Sequence, residues 1–186
     1  SVFGGSAWHW DTRRRQYYLH NFLTSQPDLN FHNRAVQDEI LAIMEFWLDR
    51  GVDGFRLDTV NYYFHDPRLR NNPPLMTKAG RTAVRPYDMQ DHVYSKTRPE
   101  NVPFLRRMRA TMDKYDARMM VGEVGESHKA NAIMAEYTAD SDKLHMAYSF
   151  EMLSDEFSAA HFRNCVKAFY DAARARNGWP CWSFSN

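Results

Sequence analysis

Two cysteines, Cys165 and Cys181, are all that 186 residues contain. That is too few for a disulfide framework and points to a reducing compartment, so a cytoplasmic location is expected, with the periplasm as the alternative. No apolar run approaches the roughly 20 residues of a membrane-spanning helix, and mean hydropathy is −0.66, so a soluble chain with no membrane partner is expected. Charge of one sign is missing too: the formal net charge is +1, which leaves no strong field to draw in nucleic acid. The eight histidines are scattered, without HExxH, HxH or CxxC spacing, so no metal site is expected. Without GxSxG a serine triad has nothing to stand on. Without GxGxxG, GxxxxGKS or GxxxxGKT there is no phosphate loop, and no cofactor is expected. The start, Ser1-Val2-Phe3, has neither an initiator methionine nor a signal-peptide pattern, and it reads as the interior of a longer protein.

What is present centres on Gly54-Phe55-Arg56-Leu57-Asp58-Thr59. The first four residues read as a buried strand, and side chains alternate across a strand. Arg56 and Asp58 therefore share one face, Phe55 and Leu57 the other. A charged pair on an inner face needs a reason, because an uncompensated buried charge is costly. One reason is a structural ion pair. The other is a carboxylate kept ionised by its guanidinium neighbour at the C-terminal end of a strand, as a carboxylate nucleophile requires.

Along the chain, 1–34 has no sustained period, with a strand at 17–19 and a solvated turn at Arg13-Arg14-Arg15. Asn33 can cap a helix over 34–50, with Val36, Ile40, Ile43, Met44 and Trp47 on one stripe and Gly51 closing it. From 59 to 100 runs an excursion rich in Pro, Asn and Arg, long enough to be functional, with one or two short helical turns. The spacing then predicts a helix over 103–115, a strand over 119–124, a helix over 128–139 and a strand over 144–150. A helix over 155–177 closed by Gly178 and a strand over 181–184 complete the pattern. Alternating helices and strands without hairpin signals favour parallel strands joined by crossover helices. Polar groups fall at strand ends (Asp58, Glu123, Asn186), and in a barrel that is the catalytic face. The fold expected is α/β, four strands making half of a (β/α)8 TIM barrel.

Asp58 and Glu123 on neighbouring parallel strands can face each other across a pocket. Retaining glycosidases need such a pair about 5–5.5 Å apart, one as nucleophile and one as acid/base. Asp58 beside Arg56 suits the ionised role. Glu123, with no cation next to it in sequence, suits a raised pKa and proton donation. Glu126 competes but reads better as a solvated loop acid. Aromatic residues make up 15% of the chain, which suits sugar platforms or an aromatic core.

Three motifs, in order, carry a resemblance. Gly54-Phe55-Arg56-Leu57-Asp58 resembles the nucleophile strand of the α-amylase family (glycoside hydrolase family 13), and Val121-Gly122-Glu123 its acid/base strand. Gln26-Pro27-Asp28-Leu29-Asn30 is similar to the motif of the α-glucosidase and oligo-1,6-glucosidase branch near the end of the inserted B domain. The resemblance implies that 1–32 is the tail of domain B and 33–186 covers barrel strands four to seven. It makes Asp58 the nucleophile, Glu123 the acid/base and Arg56 the partner that orients Asp58. Thr59, beside the +1 sugar, goes with α-1,4 linkages in this family, and Phe3 and Phe22 would wall the glucose pocket. It places a third catalytic carboxylate just beyond Asn186 and implies a small oligosaccharide or disaccharide substrate. Two function classes follow. One is an α-glucosidase, with transglucosylase and sucrose isomerase as enzymatic variants. The other is a non-catalytic member similar to amino-acid transporter heavy chains.

Overall fold

The computed structural model describes residues 1–76, 85–126 and 129–184. Gly80 in the excursion, His128 at an expected helix start and Asn186 at the last strand end lie outside them. The chain divides into two compact units, one from 1–36 and 62–98, the other from 37–61 and 99–186.

In the first unit β1 (Trp8–Asp11) and β2 (Gln16–Leu19) pair antiparallel, Trp8 opposite Leu19 and Asp11 opposite Gln16. The sequence suggests one strand here and no hairpin. The turn is hidden because it lacks Asn-Gly or Asp-Gly. Asp11 Oδ1 instead accepts the backbone N–H groups of Arg13 and Arg14 at 2.8 and 3.1 Å, and Arg15 takes a left-handed backbone with φ of 55°. The three arginines are exposed, as a solvated turn should be. The 26–30 motif is a clasp. Asp28 Oδ2 accepts from the Asn21 backbone N–H at 2.6 Å and from Asn21 Nδ2 at 3.0 Å, while the Asp28 N–H donates to Leu19 O at 2.9 Å. Burial holds the Asp28 carboxyl above its ordinary range, opposed by those two donors. Part of the excursion folds onto this segment: Phe31 stacks on Tyr63 with ring centres 4.8 Å apart. The excursion carries two short 3-10 turns, Val60–Tyr62 and Pro86–Met89.

The remaining elements alternate: α1 (Arg34–Leu48), β3 (Gly54–Leu57), α2 (Asn101–Met112), β4 (Met119–Glu123), α3 (Ala130–Thr138), β5 (Met146–Tyr148) and α4 (Ala159–Arg174). Asn33 Oδ1 accepts the Ala35 N–H at 3.0 Å, and Gly51, with φ of 88°, donates to Leu48 O at 2.9 Å. Both α1 caps are those the sequence indicates. Its buried stripe differs: Met44 and Leu48 are buried, whereas Ile43 and Trp47 stay 45% and 48% exposed. Apolar residues ring more than half of this helix, so periodicity alone does not select the face that packs. Helix α4 starts later than expected because Ser158 Oγ accepts the His161 N–H at 3.1 Å. At its end Asn177, not Gly178, takes the left-handed position, with φ of 53°.

The second unit's sheet has the order β3-β4-β5, all parallel. The expected fourth strand, 181–184, does not form. Among the described residues the chain there makes one isolated bridge, Pro180 to Ala147, plus a bond from Ser183 Oγ to Ser149 O at 2.9 Å. Pro180 has no N–H to give a ladder. Val60, Leu105, Met120, Val124, Ala147, Phe169 and Ala173 are wholly buried, the larger ones each contributing about 1.5–3 kcal/mol. Polar contacts join the rims of α1 and α2: Arg107 donates to Gln37 Oε1 at 2.6 Å and pairs with Asp38, and Lys114 meets Glu45 at 2.5 Å.

Candidate active site

Register explains why three distant residues meet. Leu57 pairs with Gly122, and Glu123 pairs with Tyr148. Asp58 follows Leu57, so Asp58, Glu123 and Tyr148 form one row across the C-terminal ends of three parallel strands. Arg56 stands two residues before Asp58 on the same face.

The guanidinium of Arg56 joins the row. Its Nη1 donates to Asp58 Oδ1 at 2.6 Å, its Nη2 pairs with Glu123 Oε2, and its Nε donates to the Tyr148 hydroxyl at 3.2 Å. The Tyr148 hydroxyl donates to Glu123 Oε2 at 3.2 Å. The bond to Tyr148 first, and then the Asp58 charge, hold Arg56 above its ordinary value. Glu123 is buried, whereas the side chains of Arg56 and Asp58 are 48% and 71% exposed. This corrects two expectations. The Arg56–Asp58 face is open to solvent, because three strands leave it with no opposing layer. Glu123 does have a cation beside it, because the sheet brings in Arg56 from a strand 67 positions away in sequence (123 − 56). Tyr148 escaped the sequence reading. Its one signal is its place at the C-terminal end of the next strand, two residues on from Met146.

Thr59 is half-buried, with φ of 38°, a left-handed backbone that a β-branched residue rarely takes. It turns the chain away from the strand immediately after Asp58. The two aromatics of the sequence reading belong to the other unit. Phe3 meets Phe22 edge to face with ring centres 6.2 Å apart, and Phe22 meets Tyr62 at 5.3 Å. Phe3 is 65% exposed. Among the described residues no group of three or more His, Cys, Asp or Glu is placed to hold a metal ion, and no helix is long and apolar enough to cross a membrane.

A carboxylate pair at the ends of parallel strands is an arrangement that two-carboxylate chemistry at a sugar carbon would use, and the chain is similar to several known proteins. The probable alpha-glucosidase of Rhizobium meliloti (strain 1021) is 54% identical over 191 residues, covering all of this chain and 34% of that protein. The crystal structure of an alpha-glucosyl transfer enzyme, XgtA, superposes with a TM-score of 0.88 at 50% identity, over all of this chain and 35% of that one. An amino acid transporter heavy chain of Mus musculus is 43% identical over 115 residues, which are 62% of this chain and 17% of that protein. The chain thus spans about a third of the length of the first of these relatives. Its parallel β/α units are part of the TIM barrel that such neighbours share. The alpha amylase catalytic domain matches residues 1–179, and the chain belongs to that family, glycoside hydrolase family 13.

Proposed function

We propose that the full-length protein is a retaining α-glucosidase, acting on terminal α-glucosidic bonds, α-1,4 by preference, of short oligosaccharides or disaccharides. The observation that carries this reading is one guanidinium shared by Asp58 and Glu123. Two carboxylates within reach of a single arginine suit the short separation of a retaining pair.

In this reading an Asp58 carboxylate oxygen attacks the anomeric carbon, and the bond from that carbon to the leaving oxygen breaks. Glu123 gives that oxygen its proton as a glucosyl–Asp58 ester forms. Water then attacks the same carbon, Glu123 takes its proton, and Asp58 is released. The substrate's glycosidic oxygen replaces Arg56 as the partner of Glu123, while Tyr148 stays to orient the carboxyl group. Thr59 contacts the sugar beyond the scissile bond, Phe3 and Phe22 contact sugar faces, and residues 1–32 are the tail of an inserted domain. No cofactor or metal takes part.

Transfer to a second sugar in place of water is the runner-up, favoured by the 50% identity to an alpha-glucosyl transfer enzyme. The likeness to a transporter heavy chain leaves a non-catalytic role as the competing class, and the presence of both carboxylates argues against it. Incubating the full-length protein with a nitrophenyl α-glucoside distinguishes all three. Expected are nitrophenol and α-glucose as the first-formed product, with Asp58→Asn lowering the rate by roughly four or more decades. Glucosylated acceptor in place of glucose supports transfer, and no turnover by the unaltered protein ends the enzymatic reading.

A further inference from the structure

After Asp58 the chain is held in place residue by residue. Thr59 makes the left-handed turn, and Val60 and Asn61 are wholly buried. Val60 lies where Gly122 leaves room: a Cβ on residue 122 would stand 2.9 Å from Val60 Cγ1 and 2.6 Å from Leu144 Cδ1. The Val60 carbonyl accepts from Asn101 Nδ2 at 2.9 Å, and the same nitrogen donates to the Tyr137 hydroxyl at 3.0 Å. Asn61 then reaches to the neighbouring strand end. The Gly125 N–H donates to Asn61 Oδ1 at 2.9 Å, and Asn61 Nδ2 donates to Gly125 O at 3.3 Å. A side-chain amide paired with a peptide group in both directions is one more rung of the β3–β4 ladder, made beyond its last backbone pair, Leu57 with Gly122.

We propose that Asn61 is a positioning residue whose clasp on Gly125 sets the separation of Asp58 and Glu123. The inference rests on the reading of those two residues as nucleophile and acid/base. Asn61 is three residues past Asp58, and Gly125 is two past Glu123. The clasp therefore spans the two short segments on which the carboxylates hang, and it grips one of them by its backbone. Among the described residues the β3–β4 pairing ends at Leu57 and Gly122, while Glu123 stays paired with Tyr148 of β5. A retaining pair works at about 5–5.5 Å, and misplacement by about 1 Å can cost on the order of 10²-fold in rate. Truncating Asn61 also removes its two bonds to the Gly125 N–H and C=O.

The test compares Asn61→Ala, Asn61→Asp and Asp58→Asn in the full-length protein, with rates expressed per folded molecule well below each melting transition. Asn61→Ala is expected to lower kcat by about 10- to 100-fold while KM stays within about threefold. The alkaline limb of its kcat/KM profile is expected to shift by about half a pH unit or more, because the acid's proton affinity depends on its distance from the Asp58 charge. Asn61→Asp keeps the acceptor for the Gly125 N–H but sets an oxygen against the Gly125 carbonyl, so an intermediate loss is expected. It decides the matter if the alanine variant does not fold. A folded Asn61 variant with a lowered melting point but unaltered kcat and pH profile overturns the proposal and leaves Asn61 a stability residue. Should Asp58→Asn remain active, the nucleophile assignment itself falls, a result separable from failure of the clasp alone.

Discussion

Thr59 carries a β-branched side chain on a backbone with φ of 38°, so most substitutions there would mix a change of contact with a change of strain. Valine avoids this, since it is branched at the same carbon and nearly the same size. Thr59→Val is therefore expected to shift the ratio of maltose to isomaltose hydrolysis toward isomaltose with little change in melting temperature. An unchanged ratio would remove Thr59 from substrate selection. Glu123 can be isolated in the same way. Glutamine keeps an oxygen for the Tyr148 hydroxyl but has no proton to give, so Glu123→Gln should lose roughly two to four decades on maltose. On a glucoside whose leaving group needs little protonation, bond cleavage should be largely spared. Equal losses on both substrates would count against Glu123 as the acid.

Among the elements, β4 is hemmed in on both sides. Gly122 has no room for a Cβ between Val60 and Leu144, so Gly122→Ala is expected to cost about 1–3 kcal/mol through overpacking. Leu144→Ala should cost less in that background than in the unaltered protein, measured by chemical denaturation, because there it also removes the nearer clash. Near the other end of the strand, the Met120 N–H donates to His145 Nδ1 at 3.0 Å. Burial first, and then the Arg109 charge, hold that imidazole below its ordinary value of 6.5, with Asp113 opposing. The unfolded chain therefore takes up a proton near pH 6.5 that the folded chain still lacks. Stability from this group is full above that pH and is lost as the pH falls below it. The melting temperature should drop between about pH 7.5 and about pH 5.5. His145→Asn, which keeps an acceptor for the Met120 N–H without titrating in that range, should flatten the slope.

For the molecule as a whole, the three-stranded parallel sheet has a polar face carrying Arg56 and Asp58 in the open. Among the described residues the outer edge of β3 pairs with no strand, and that of β5 carries the Pro180 bridge alone. Ile43, Phe46 and Trp47 of α1 are each close to half exposed, an apolar patch that promotes association. Produced on its own, this 186-residue chain is expected to aggregate and to turn over no nitrophenyl α-glucoside, unlike the full-length protein. Light scattering, a thermal scan and the assay, run side by side, would check this. A monomeric chain with a cooperative melt and appreciable turnover would be the contrary result.

The sequence alone was enough for the β/α alternation and for the carboxylates at its strand ends, because both are local. Periodicity reports which residues share a face, and the Gly54–Leu57 strand puts Arg56 and Asp58 on the same side whatever surrounds them. The α1 caps at Asn33 and Gly51 were legible for the same reason: each acts within its own turn. Other features depend on which strand lies beside which, and in what register. The 58–123–148 alignment is one, and it alone brings Arg56 onto Glu123 and adds Tyr148 to the site. The clasp of Asn61 on Gly125 is another, between residues 64 apart. The β1–β2 hairpin was hidden because an Asp11 side chain does the work of a turn glycine. Whether 181–184 joins the sheet was likewise decided by pairing, since an apolar, aromatic segment has the strand pattern but Pro180 lacks the N–H that a ladder needs. Local patterns say what an element is. Only its neighbours decide which charges it meets.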